Sequence, residues 1–108
     1  MMEQSRTARI GKNEALFREV NESIRNVAPI EEAMFEVLCE CGAKSCTEQF
    51  EIPIAEYESV RSDPALFVLV NGHQAPDVED VVEDEGVFLV VRKRPGVPEE
   101  IARATDPR

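Results

Sequence analysis

Three cysteines within eight residues, Cys39, Cys41 and Cys46 in the run CECGAKSC, constrain this chain more than any other feature. They are the only cysteines of the 108 residues, so full internal disulfide pairing is impossible. A Cys-x-Cys pair on an extended strand sets both sulfurs on one face. Gly42 follows directly and can take a positive φ, which lets the backbone curl back and bring Cys46 round to the same point. Zinc is the ion that such a cluster suits, because it takes four soft or borderline ligands in a tetrahedron with thiolates about 2.3 Å away.

Three cysteines leave one position. His73 is the only histidine, and it follows the apolar run Leu66–Val70 in an Asn71-Gly72 turn. A strand end beside a hairpin tip can deliver its imidazole to the ion. Asp77, another acid or water are the alternatives. With His73 neutral, the zinc centre carries a charge of about −1. An iron–sulfur cluster is disfavoured, since it ordinarily takes four cysteines. Two other states of the thiols stay open: buried free cysteines, or a Cys39–Cys41 dithiol that cycles with Cys46 as resolving thiol.

The rest of the chain reads as a small α+β domain. Residues 10–28 carry a helical pattern, with Leu16, Phe17, Val20, Ile24 and Val27 on one stripe, and Pro29 stops it. The stripe is expected to pack on the domain's own sheet. The alternative is a homodimer or partner contact, since Ile10, Asn13, Phe17, Val20, Ile24 and Val27 also fit a short heptad seam. Residues 34–41 alternate, with Phe35, Val37, Cys39 and Cys41 on one face and Glu36 and Glu40 on the other. Residues 47–52 alternate again, giving a hairpin with the cysteines at its tip. Ile54–Arg61 reads as a short helix, and Leu66–Val70 as a strand buried on both faces. Residues 78–83 and 87–93 form a second hairpin, or else 78–84 is a helical turn. The organisation is a flexible segment 1–9, a helix 10–28, a zinc-stabilised α+β domain 33–94 and a flexible charged tail 95–108.

The composition narrows the function. A formal net charge of −10 repels phosphate backbones and anionic membranes. The basic strand end Arg92, Lys93, Arg94 is the candidate for nucleic-acid contact, but three cations on such a chain more often mark a solvated end. No run approaches the length of a membrane span. The N-terminal residues hold no apolar signal core, so a reducing cytoplasm is expected, where close-set cysteines bind metal rather than pair. No Ser-His-Asp signature, phosphate loop or histidine-rich metal motif is present. A structural-zinc module that acts through protein contacts, not an enzyme, is the leading expectation. A zinc-thiolate redox sensor, a nucleic-acid binder and a metalloenzyme follow it.

Two resemblances bear on this. The run CECGAKSC resembles the zinc segment that follows the catalytic domain of SET-type lysine methyltransferases. There too a Cys-x-Cys-Gly and a third cysteine at this spacing take a fourth ligand from elsewhere in the fold. It covers residues 39–46 alone and implies zinc, not methyl transfer. The longer pattern is NEALFREVNESI (13–24), FEVLCECGAKSC (35–46), IPIAEYESVR (52–61), LFVLVNGH (66–73), VEDVV (78–82) and VFLVVRK (87–93). It is similar to a family of small bacterial proteins without an assigned activity, and implies one fold and one cysteine–histidine site. Members of that family usually carry proline where this chain has Asn71.

Overall fold

A computed structural model describes residues 5–29 and 33–108. The fold is α+β: a long N-terminal helix, two small antiparallel sheets and two short helices. Helix α1 spans Arg6–Val27, starting earlier than the sequence pattern indicates. Its N-cap is Ser5, whose Oγ accepts from the Ala8 amide at 3.1 Å. The expected flexible segment 1–9 is therefore helical from Arg6, and its residues 1–4 lie outside the described residues.

Strands β1 (Met34–Leu38) and β2 (Gln49–Pro53) pair antiparallel, with Phe35 opposite Ile52 and Val37 opposite Phe50. Both strands are shorter than the alternation suggested, so the cysteines fall in the connecting loop 39–48 rather than on a strand. Helix α2 (Ile54–Arg61) and strand β3 (Leu66–Val70) lie where the sequence places them. Strands β4 (Glu79–Asp84) and β5 (Phe88–Lys93) form the second hairpin, and the helical alternative for 78–84 is excluded. The second sheet has the order β3-β5-β4. The two sheets meet where Phe50 of β2 stacks on Phe88 of β5 at 4.9 Å.

Three placements depart from the sequence expectations. First, α1 turns a largely polar face inward: Ile10, Gly11, Glu14, Arg18 and Asn21 are its buried residues. Of the apolar stripe, Phe17 and Ile24 are half-buried, while Leu16, Val20 and Val27 are 51%, 38% and 81% exposed. The reason is what α1 crosses. Beneath it lie unpaired backbone groups and a buried lysine, and these require polar partners. Asn21 accepts from the Leu38 amide at 2.8 Å and donates to the Leu38 carbonyl at 2.9 Å. Arg18 donates to the carbonyls of Pro64 and Ala102, both at 2.7 Å, and lies over the Phe67 ring.

Second, the segment 95–108, expected to be a flexible tail, carries helix α3 (Val97–Ala104). It packs on α1 through Gly11, where an added Cβ would come within 2.7 Å of Ile101 Cγ2. Beyond it, Asp106 accepts from Arg61, and Arg108 donates to Glu22 and Glu58. Pro98 and two glutamates in the first turn are signs of a helix start, not of a break.

Third, the basic strand end is neutralised. Lys93 is buried between Glu14 (2.6 Å) and Glu79 (2.9 Å), Arg92 pairs with Asp63, and Arg94 with Asp80.

Candidate metal centre

The loop 39–48 leaves β1 and returns to β2, and its shape follows from a few local contacts. The Cys39 amide donates to the Glu48 carbonyl at 2.9 Å, closing the base of the loop. The Cys46 amide donates to the Ala43 carbonyl at 3.0 Å, forming the turn that carries the third sulfur back. Gly42 lies against Ile10 of α1 so closely that a Cβ would meet its side chain at 2.7 Å. The glycine thus serves a close approach between loop and helix. Asn13 fixes that approach by donating to the Gly42 carbonyl at 2.8 Å.

His73 arrives from the other sheet. Strand β3 ends at Val70, and the His73 amide donates back to the Val70 carbonyl at 2.9 Å. Gly72 takes φ +99° at the third position of this turn, a conformation that favours glycine. Asn71 anchors the turn through its side-chain amide on the Gly86 carbonyl at 3.0 Å.

The side chains of Cys39, Cys41, Cys46 and His73 converge. Their candidate ligand atoms all lie within 4.8 Å of one another. His73 Nδ1 is 3.5 Å from Cys39 Sγ and 3.6 Å from Cys46 Sγ. With metal–sulfur and metal–nitrogen lengths of about 2.3 and 2.1 Å, the sulfur–nitrogen edge of a zinc tetrahedron is about 3.6 Å. The donor set and its spacing therefore suit a metal such as zinc. Cys39 and Cys41 are buried, Cys46 is half-buried, and His73 closes the solvent side. Asp77 is not in the cluster; it pairs with Arg6 at 2.9 Å on the surface.

Backbone amides face the sulfurs. Val70 donates to Cys39 Sγ at 3.1 Å, Ala43 to Cys41, and Glu48 to Cys46. Such bonds spread the charge of thiolates and orient them. Among the thiols themselves, Cys39 donates to Cys41. That hydrogen bond pushes the Cys39 thiol up and draws Cys41 down to about 5. A lowered Cys41 favours the thiolate, the form a metal takes.

Glu40 is the residue sequence alternation misplaced. It was expected to face outward, yet it is fully buried. Strand β1 has ended at Leu38, so the in–out alternation no longer governs it. Its amide donates to the Val68 carbonyl at 2.8 Å, and its carboxylate accepts from the Val68 amide at 3.0 Å and from Asn21 at 2.8 Å. Burial pushes its carboxyl up to about 7, against the pull of Asn21 and the Val68 amide. Together with Cys39 on Val70, Glu40 covers the outer edge of β3, which would otherwise present open amides. No sequence signal marked this role, because a glutamate between two cysteines reads like any surface acid.

Among the described residues, no helix is long and apolar enough to cross a membrane. Comparison of the chain with protein-family models, with curated proteins and with solved structures finds no match. The two resemblances drawn from the sequence rest on the residues quoted for them.

Proposed function

We propose that this chain is a non-enzymatic zinc protein whose Cys39, Cys41, Cys46 and His73 centre holds the fold together. The observation that carries it is the convergence of three sulfurs and one imidazole within 4.8 Å, from a loop of one sheet and a turn of the other, with His73 Nδ1 at tetrahedral-edge distance from Cys39 and Cys46. Four protein donors leave zinc no coordination position for a substrate, which favours a structural over a catalytic centre. Structural zinc supplies on the order of 10 kcal/mol of apparent binding free energy, comparable to the whole net stability of a small domain.

Metal analysis of freshly purified, reduced protein tests this. One zinc per chain is expected, bound more weakly after His73→Ala and lost after Cys39→Ser. Metal-free protein, or undiminished affinity in the His73 variant, would overturn the assignment.

The module acts through protein contacts on this reading, and the outer face of α1 supports that part. Leu16, Val20 and Val27 stay exposed on one side of the helix, as in a surface that a second copy or another protein covers. Sedimentation of the zinc-loaded chain, alone and as Leu16→Glu/Val20→Glu, distinguishes the two. A dimer dissociated by the double substitution identifies the second copy. A monomer in both cases leaves the face to a different protein.

A further inference from the structure

We infer that the pocket between α1 and the metal loop, lined by Arg9, Lys12, Asn13 and Lys44, binds a compact phosphate-bearing anion. The pocket has a volume of about 410 Å³, within the range of small-ligand sites. Arg9, Lys12 and Asn13 stand at helical spacings of three and four, so they share one face of α1. Lys44 comes from the loop, and the Asn13 bond to the Gly42 carbonyl holds that loop against the helix. Three cations and an amide thus line one concavity, and no acid is among its described lining residues.

The charge pattern of the molecule makes this concentration unusual. Among other surface cations, Arg6 pairs with Asp77, Arg92 with Asp63 and Arg103 with Glu99. Among the described residues, Lys12 and Lys44 enter no ion pair. Guanidinium and ammonium groups together favour an oxyanion of more than one negative charge. A chain of net charge −10 also selects by size. A long polyanion would have to run from the pocket across acidic surface, whereas a compact phosphate ester meets only the cations.

The test titrates inorganic phosphate and ribose 5-phosphate into the zinc-loaded, full-length chain, followed by amide NMR, with zinc release monitored by a colorimetric dye. Saturable shifts at Lys12, Asn13 and Lys44 are expected, tighter for the sugar phosphate, with sodium chloride at equal ionic strength producing none. The Lys12→Glu/Lys44→Glu variant is expected to bind at least tenfold more weakly while keeping its zinc. Lys12→Gln/Lys44→Gln serves the same purpose if the charge reversal perturbs folding; both lysines are exposed. Equal shifts in wild type and variant, or shifts matched by chloride, would overturn the proposal. So would zinc release that tracks the phosphate titration, or single-stranded DNA binding more tightly than the sugar phosphate at the same ionic strength.

Discussion

Lys93 is 2% exposed and bonds two carboxylates, Glu14 and Glu79, that are each 1% exposed. One ammonium cannot fully compensate two buried carboxylates. Burial pushes Glu14 well up, past what the Lys93 charge recovers, and Glu79 adds repulsion. Its folded carboxyl therefore holds a proton that the unfolded chain releases near the ordinary value of 4.5. The corresponding stability is complete below that value and fades as pH rises toward the raised one. Glu14→Gln keeps a neutral partner for Lys93 and removes this dependence. Urea unfolding at pH 5 and pH 8 should show a smaller stability gap in the variant than in wild type. Lys93→Met should instead cost roughly 3–5 kcal/mol, because it leaves two acids buried without their cation. A variant as stable as wild type at pH 8 would contradict the triad. None of this could be read in the sequence, where Glu14 and Lys93 look like ordinary surface charges on a helix and a strand end.

Elements divide by how local their causes are. Helix α2 and strand β3 were legible because breakers bound them: Pro53 before the helix, Asp63 and Pro64 before the strand. Helix α3 was hidden because Pro95, Gly96 and Pro98 look like a tail, although a proline in a helix's first turn is compatible with its start. Its consequence lies in what it satisfies. Arg18 and Arg61 are fully buried, and their partners include the Ala102 carbonyl and Asp106. A chain ended after Gly96 strips those partners away and leaves two guanidiniums short of hydrogen bonds in the interior. Charges left buried in this way cost about 3–5 kcal/mol each when a partner is lost. The shortened chain is expected to show a much lower urea midpoint or no cooperative transition. A midpoint equal to that of the full chain would mean that α3 is an ornament on the fold. The surface pairs near it, such as Arg103 with Glu99, contribute little by comparison.

At the scale of the whole molecule, the two sheets share no strand, and their apolar faces join in one core. One tie is the Phe50–Phe88 stack. Another is the loop 39–48, which bonds β3 through Cys39 and Glu40 and brings its thiols to His73. On the proposed function, removing the zinc should release this second tie while the β4–β5 ladder persists. Hydrogen exchange after chelation should therefore accelerate first at the Val68 and Val70 amides, whose acceptors are Glu40 and Cys39. The β5 amides should follow only with global unfolding, and the melting temperature should fall. Uniform acceleration across both sheets would show that the centre holds the whole core rather than the joint. Unchanged exchange would show that the thiol cluster needs no ion.

The sequence by itself determined the elements and the cysteine cluster that short-range spacing controls. A Cys-x-Cys followed by glycine has few ways to turn, and an apolar five-residue run between breakers has few uses. The fourth member of the cluster, His73, was legible too, because the chain holds one histidine and places it at a strand end. Tertiary structure alone decided which face of α1 points inward, where Glu40 goes, and that α3 closes over Arg18 and Arg61. Those outcomes depend on where unpaired amides, carbonyls and a buried ammonium of distant segments fall. Burying such groups without partners costs more than leaving Leu16 and Val20 in water. The helix therefore turned a largely polar side to the core, and Leu16, Val20 and Val27 of the apolar stripe face outward.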